Sequence, residues 1–469
     1  MKSRFLLAGP LALLLVSFAV AQSQEPTSAQ LWLSTVNRSA VLALQSTPVR
    51  FTESSTTDRT ITVNDMEQYQ SMEGFGFAVT GGSAELLMRM SPPARAALLR
   101  ETFSPTGDGI HASYIRVSIG SSDMNDHPYT YDDVPAGETD PQLAHFSLAV
   151  DQSTVIPVLK QILSIDPEIK ILGSPWSAPA WMKTNDNLRG GHLKPEDYQV
   201  YAQYFVKYIE GMQAEGIHLS AITIQNEPLN PKNTPSMAMF ATEEDRFIAD
   251  DLGPAFARAG IHTGIQVYDH NPDVPSYPLS ILADPNANKY VEGTAFHLYG
   301  GAADAFTKVH NLYPRKDLFM TEQSVTEGPR STGLDIAEPV DRVLIGSTRN
   351  WSRNVLLWNL AANPEAGPHT NNGGCTGCWG ALTLNGDQVT RNVAWYALGH
   401  FSKFVPQGSI RVGTNDLEQL DNVAFLTPQG KVVLVVSNTG NFPFDFAISY
   451  HGKIARTSLP PESVGTYVW

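Results

Sequence analysis

Two glutamates each end a short apolar run. Glu227 closes Thr223-Ile224-Gln225-Asn226-Glu227-Pro228, and Glu322 closes Phe319-Met320-Thr321-Glu322-Gln323. A carboxylate at the end of a buried strand is costly to desolvate unless it is paired or used. If the fold turns the two toward each other, they can act on one bond. One carboxylic acid protonates a leaving oxygen while the other attacks carbon or activates water, which is the chemistry of glycosidic-bond cleavage. That chemistry needs neither a metal nor an organic cofactor, and none is expected.

Other residues group around this pair. Arg116 and Asp123 lie seven positions apart, at and just beyond another apolar run. Trp176, Trp181, Tyr268, Tyr299, Trp358 and Trp379 all fall at or near the ends of such runs. Flat aromatic faces suit the C–H face of a sugar ring, with polar neighbours to read its hydroxyls. His270 and His297 read as rim hydrogen-bonders. A metal-dependent barrel hydrolase would carry a His-x-His in its first strand, and Met72–Val79 has no histidine. A sugar-binding module without activity would lack one carboxylate, and here both are present. The only cysteines, Cys375 and Cys378, form a CxxC within Gly-Gly-Cys-Thr-Gly-Cys-Trp-Gly. No second ligand pair completes a zinc site, and a redox pair would open a helix after a strand. In this glycine-rich loop the pair reads as a local structural disulfide.

The elements that must position these groups alternate. Eight short apolar runs recur: Met72–Val79, Ala112–Ile119, Ile169–Ser174, Leu219–Gln225, His262–Tyr268, Thr294–Tyr299, Leu318–Glu322 and Asn354–Leu360. Amphipathic stretches of helical period intervene, such as Val155–Ile165, Tyr198–Glu215, Glu243–Ala259 and Pro339–Thr348; Val393–Phe404 follows the last strand. The fold class expected is α/β, a (β/α)8 TIM barrel, with active groups at the C-terminal strand ends. Glu227 then ends strand four and Glu322 strand seven, facing each other across the ring. Both chain ends alternate apolar and polar residues with period two, as in Val432–Ser437 and Phe444–Tyr450. These strands are expected to build a small flanking β-sandwich. The division expected is a barrel over residues 66–405 and a sandwich from 22–65 with 406–469.

The chain has 469 residues, with 32 basic against 47 acidic side chains and a net charge of −15. That balance repels phosphate backbones, so a nucleic-acid partner is not expected. Residues 1–21 read as a secretory signal: Lys2 and Arg4, an apolar run from Phe5 to Val16, then Ala19-Val20-Ala21. The run is too short to span a bilayer. The expectation is a secreted or periplasmic protein with no stable membrane span.

At this point the motifs resemble a known family. They are Gly74-Phe75-Gly76, Arg116-Val117-Ser118-Ile119-Gly120-Ser121-Ser122-Asp123, Ser174-Pro175-Trp176-Ser177-Ala178-Pro179-Ala180-Trp181, Gln225-Asn226-Glu227-Pro228, His297-Leu298-Tyr299, Thr321-Glu322 and Trp358-Asn359-Leu360. Together they resemble glycoside hydrolase family 30, in the branch of the glucosylceramidases and β-1,6-glucanases. The resemblance implies a retaining enzyme with Glu227 as acid/base, Glu322 as nucleophile and Asn226 holding the sugar 2-hydroxyl. It also implies that Arg116, Asp123, Trp176, Tyr299 and Trp358 contact glucose or shape its site. The leading expectation is a glucosylceramidase-like β-glucosidase; the alternative is an endo-acting β-1,6-glucanase, and a xylanase follows behind. The partner is then a β-glucoside: a glycolipid, an oligosaccharide or a β-glucan. Two segments depart from the glucosylceramidases. Phe77-Ala78-Val79-Thr80-Gly81 stands where they have Gly-Ala-Met-Thr-Asp, and the CxxC loop after strand eight differs.

Overall fold

The computed structural model describes residues 26–56, 58–326 and 333–469. The expected signal segment, residues 1–21, lies outside them. Eight parallel strands close into a barrel: Gly74–Ala78, Tyr114–Ile119, Lys170–Pro175, Ala221–Thr223, Gly264–His270, Val291–His297, Asp317–Glu322 and Ser352–Leu357. Each lies within or against one of the expected apolar runs. Closure comes from the eighth strand pairing with the first, Asn354 opposite Gly74. Nearly every strand residue is buried, which is why these strands read as continuous apolar runs and not as alternating ones. The first two strands approach closely at Gly76. A Cβ there would sit 1.5 Å from the Tyr114 carbonyl oxygen, so only glycine fits.

Helices Val155–Ile165 and Tyr198–Ala214 follow the expected periodicity. Two other stretches are not uniform helices. Phe247–Leu252 and Val340–Ile345 are wide π turns between α-helical segments. The first precedes Pro254, which has no N–H to donate and whose ring crowds the preceding turn. A widened turn relieves both problems.

Both chain ends meet in one ten-stranded sheet. Ser28–Thr35 pairs with the C-terminal strand Ser463–Val468, and Thr60–Ser71 pairs with Ile410–Thr414. Val49–Thr52 joins Ser28–Ala29 on one side and Lys453–Leu459 on the other. The layers enclose a separate core that includes Leu31, Ile61, Leu434, Phe446, Ile448 and Tyr467. Thr60–Ser71 is a single strand that runs through the boundary expected at residue 65 and delivers the chain to the barrel. The helix Val393–Ser402 packs between the two units. Buried His400 joins Thr466 and Ser34, each 2.8 Å away, and burial pushes its imidazole down to about 3, so it stays neutral. The sandwich thus joins the barrel through this helix.

Candidate active site

Arg116 is the third residue of the second strand and is fully buried. It therefore lies inside the barrel. Its Nη2 donates to Asn226 Oδ1 and to Asp269 Oδ2, both at 2.7 Å, and its Nε to Ser174 Oγ at 3.0 Å. Its Nη1 pairs with Glu322. The guanidinium also lies 4.8 Å from the Trp176 ring. One cation thus ties together the ends of strands three, four, five and seven, using the planar fork that suits several acceptors at once.

Asp269 is the second hub. Thr223 donates to its Oδ2 at 2.8 Å and Thr321 to its Oδ1 at 2.6 Å. His297 Nε2 lies 3.1 Å from Oδ1. Burial alone would raise this carboxyl, but the Arg116 charge and the His297 hydrogen bond hold it well below the usual range. The backbone is strained here. Glu227, Tyr268 and Asp269 have φ of 45°, 81° and 52°, the left-handed region that side chains avoid. The Glu227 N–H donates to the Asp269 carbonyl at 3.0 Å, so the two strained turns hold each other.

The two glutamates converge on one imidazole. His297 Nδ1 is 3.3 Å from Glu227 Oε1 and 3.8 Å from Glu322 Oε1. Asn230 Nδ2 donates to the other Glu227 oxygen at 2.7 Å, and the Tyr299 hydroxyl donates to Glu322 at 3.0 Å. Burial would lower His297, but the carboxylates of Glu322, Asp269 and Glu227 bring it up to about 9. Burial would raise Glu227, yet contact with His297 and the nearby His270 pulls it to about 2. The carboxylates around His297 thus favour its protonated form, and that cation in turn favours an ionised Glu227. Glu322 is raised by burial, against the opposing pull of His297 and Arg116. Among the described residues, Glu227, His270 and His297 also place donor atoms within 4.8 Å of one another. Hydrogen bonding accounts for both nitrogens of His297, while His270 Nδ1 has no hydrogen-bond partner.

A pair of tryptophans packs beside Arg116. Trp176 and Trp358 are buried with centroids 5.5 Å apart and tilted by 31°. They form an apolar cluster with Ala78, Met124 and Cys378. Cys378 is disulfide-bonded to Cys375, as the loop composition suggests. Trp181 and Tyr268 do not join this pair. Trp181 is in the core with Nε1 donating to Asp132, and Tyr268 packs 4.8 Å from Tyr277. A carboxylate pair spanning strands four and seven, a buried arginine on one of the two and a tryptophan pair make a sugar-cleaving site.

Comparison with known proteins agrees. Residues 72–405 match the glycosyl hydrolase family 30 TIM-barrel domain, and residues 408–467 match its β-sandwich domain. The chain belongs to glycoside hydrolase family 30. This family 30 enzyme is 36% identical to the endo-1,6-beta-D-glucanase neg1 of Aspergillus fumigatus over 437 residues, 87% of each chain. It is 33% identical to the lysosomal acid glucosylceramidase of Mus musculus, over 87% of this chain and 83% of that one. The solved endo-β1,6-glucanase BT3312 superposes with a TM-score of 0.86 at 34% identity, covering 94% of this chain and 99% of the other.

In the family 30 enzyme, the position that lacks the glucosylceramidases' acid is already filled. A Cβ on Gly81 would lie 2.0 Å from the Asn125 amide, so Asn125 occupies the space that side chain would need. Asp123 is 6% exposed, and its carboxyl feels the charges of both glutamates. Burial, then the charges of Glu322 and Glu227, push it to about 8, so at neutral pH it is largely protonated and can donate as well as accept. Removing a buried polar partner of a sugar hydroxyl costs about 1–3 kcal/mol. Asp123→Ala should therefore lower kcat/KM on a β-glucoside roughly 10- to 100-fold with little change in melting temperature. If melting temperature falls and the preference for gluco over xylo substrates is unchanged, Asp123 is a structural turn residue.

Asp269 and the bridging role of His297 escape a reading of the sequence. Their signal is present but faint: polar residues inside apolar strands, Thr223, Asp269, His297 and Thr321, each beside or on a strand that carries an active group.

Proposed function

We propose that this protein is an exported, retaining endo-β-1,6-glucanase. The observation that carries the substrate is the polar rim beyond Glu227. Arg189, Asn185, Asn230, Lys232 and Asn372 are exposed or half-buried around the leaving-group side. A ceramide leaving group would need apolar surface there to bury its chains. A glucan needs hydroxyl partners, and this rim supplies them. The printed activities of the relatives at 36% identity and of BT3312 support the same substrate. The glucosylceramidase-like reading favoured by the sequence motifs thus gives way to its alternative. Those motifs surround the two glutamates and do not include the rim residues Arg189, Asn230, Lys232 and Asn372.

The steps follow from the side chains. Glu322, held by Arg116 and Tyr299, attacks the anomeric carbon. The bond from that carbon to the leaving O6 breaks as O6 takes the proton that Glu227 relays from His297, which leaves His297 neutral and Glu227 ionised. Glu322 is then an uncharged ester, so the hold on the cluster's proton weakens. Glu227 takes a proton from water and passes it back to His297, while the water oxygen joins the anomeric carbon and the ester breaks to give back the Glu322 carboxylate. Retention requires carboxyl groups roughly 5–5.5 Å apart. The export that residues 1–21 suggest belongs to the same proposal.

Product analysis on a soluble β-1,6-glucan tests the reading. A ladder of oligosaccharides should form early, with the β-anomer released first by NMR. Release of glucose alone, an α-anomer, or a higher kcat/KM on a glucosyl lipid would each overturn it.

A further inference from the structure

The loop after the eighth barrel strand does not stay on its own side of the mouth. Strands four and eight lie opposite in an eight-stranded ring, yet residues 370–373 bind the loop after strand four. Thr370 Oγ1 donates to the Thr234 carbonyl at 2.7 Å, and the Thr234 N–H donates to the Gly373 carbonyl at 3.3 Å. The Thr234 hydroxyl donates to the Asn372 carbonyl. Arg189, from the loop after strand three, donates through Nη1 to Asn372 Oδ1 at 2.7 Å. The near end is fastened where the Thr370 N–H donates to the Asp123 carbonyl at 2.9 Å. Gly373 has φ of +86°, and a Cβ on it would lie 2.5 Å from the Lys232 carbonyl oxygen. Only glycine lets the strap pass so close. Just beyond, the Cys375–Cys378 disulfide packs against the cluster that holds Trp176 and Trp358.

This strap lands on the acid/base side. Asn230 holds the Glu227 carboxylate, and the chain then turns through Pro231 to Ser236. Gly190 N–H donates to Ser236 Oγ at 3.0 Å, and Ser236 N–H donates to the Leu188 carbonyl at 2.9 Å. The Arg189–Asn372 pair is therefore fixed beside the loop of the group that protonates the departing oxygen. Its second arginine nitrogen and the Asn372 amide remain as donors on the rim. A flat guanidinium and an amide side by side suit the adjacent hydroxyls of a sugar.

We propose that Arg189 and Asn372 form the subsite for the sugar unit released from the leaving-group side, with the disulfide strap holding the pair in register. This rests on the glucan reading above. An activated aryl leaving group has no hydroxyls to offer the pair, so it serves as the internal reference. In Arg189→Ala and in Asn372→Ala, the ratio of kcat/KM on a β-1,6-linked gluco-oligosaccharide to that on an aryl β-glucoside should fall about tenfold, mainly through KM. The double variant should lose little more than either single one, because the pair acts as a unit. Cys375→Ser with Cys378→Ser should shift the ratio in the same direction, and so should a thiol reductant on the native protein. If the cysteine variant fails to fold, the two rim variants decide alone. Equal losses on both substrates, or no change in the ratio, would overturn the subsite. A native protein that leaves β-1,6-glucan uncut would overturn the functional reading itself, and this subsite with it; cleavage by variants with an unchanged ratio sinks the subsite alone.

Discussion

Glu322→Gln should abolish turnover on every β-glucoside, while Glu227→Gln should spare substrates with activated leaving groups. Glu322 receives Arg116 and the Tyr299 hydroxyl, so its charge is aimed and stabilised; the amide keeps the shape and removes the nucleophile. A loss on the order of 10⁴-fold or more is expected on all substrates. In the proposed mechanism Glu227 has a different task. An aryl leaving group with a low pKa departs with little protonation, so Glu227→Gln should cost it far less than the roughly 10²–10⁴-fold expected for a sugar leaving group. Azide should recover part of the loss in Glu227→Gln by attacking the glycosyl-enzyme, and none in Glu322→Gln. The pH profile gives a second signature. Glu322 must be ionised and its carboxyl is raised from the ordinary 4.5, so the acid limb of kcat/KM should lie above that value. The basic limb reports loss of the proton shared by His297 and Glu227, which the surrounding carboxylates hold up to about 9 on His297. In Glu227→Gln on an aryl glucoside the basic limb should flatten while the acid limb stays. Equal damage to activated and unactivated substrates would remove Glu227 from the acid role.

The barrel and its two glutamates were legible for a physical reason. Strands buried on both faces have to be apolar throughout, and a charge ending such a strand stands out. The same rule conceals the rest of the site. Arg116 was visible as a residue, but its partners lie 110, 153 and 206 positions away, and nothing local encodes that they meet. Trp181 and Tyr268 look like Trp176 and Trp358 in sequence. Only packing distinguishes a ring that closes the core from one that packs beside Arg116. The strap from strand eight to strand four is equally silent. It depends on a glycine at 373, one hydroxyl at 234 and a guanidinium at 189, each ordinary in its own segment.

Asp269→Asn should damage both catalysis and stability, although Asp269 carries no step of the chemistry. Its two oxygens accept from Arg116, Thr223, Thr321 and His297, and Asp269 and Arg116 are both wholly buried. Asparagine has one acceptor oxygen and one donor amide. Whichever way it turns, the amide meets donors, either Arg116 and Thr223 or Thr321 and His297. Breaking a buried ion pair by removing one partner costs about 3–5 kcal/mol. The native carboxyl is held below its ordinary 3.8, so its stabilisation is in full force above that pH and fades as pH falls toward the folded value. The gap in melting temperature between native and variant should thus be widest near neutrality and narrow in acid. Catalysis should fall roughly 10²-fold or more, because Arg116 loses the anchor that aims it at Glu322. Asp269 also helps keep His297 protonated, so the basic limb of kcat/KM should move to lower pH. Thr321→Val, which removes a single donor to the same carboxylate, should show a weaker form of each effect. A variant Asp269→Asn with native melting temperature and an unmoved basic limb would mean that Arg116 and His297 are placed by the barrel alone, and that the buried aspartate is not the hub joining nucleophile to acid.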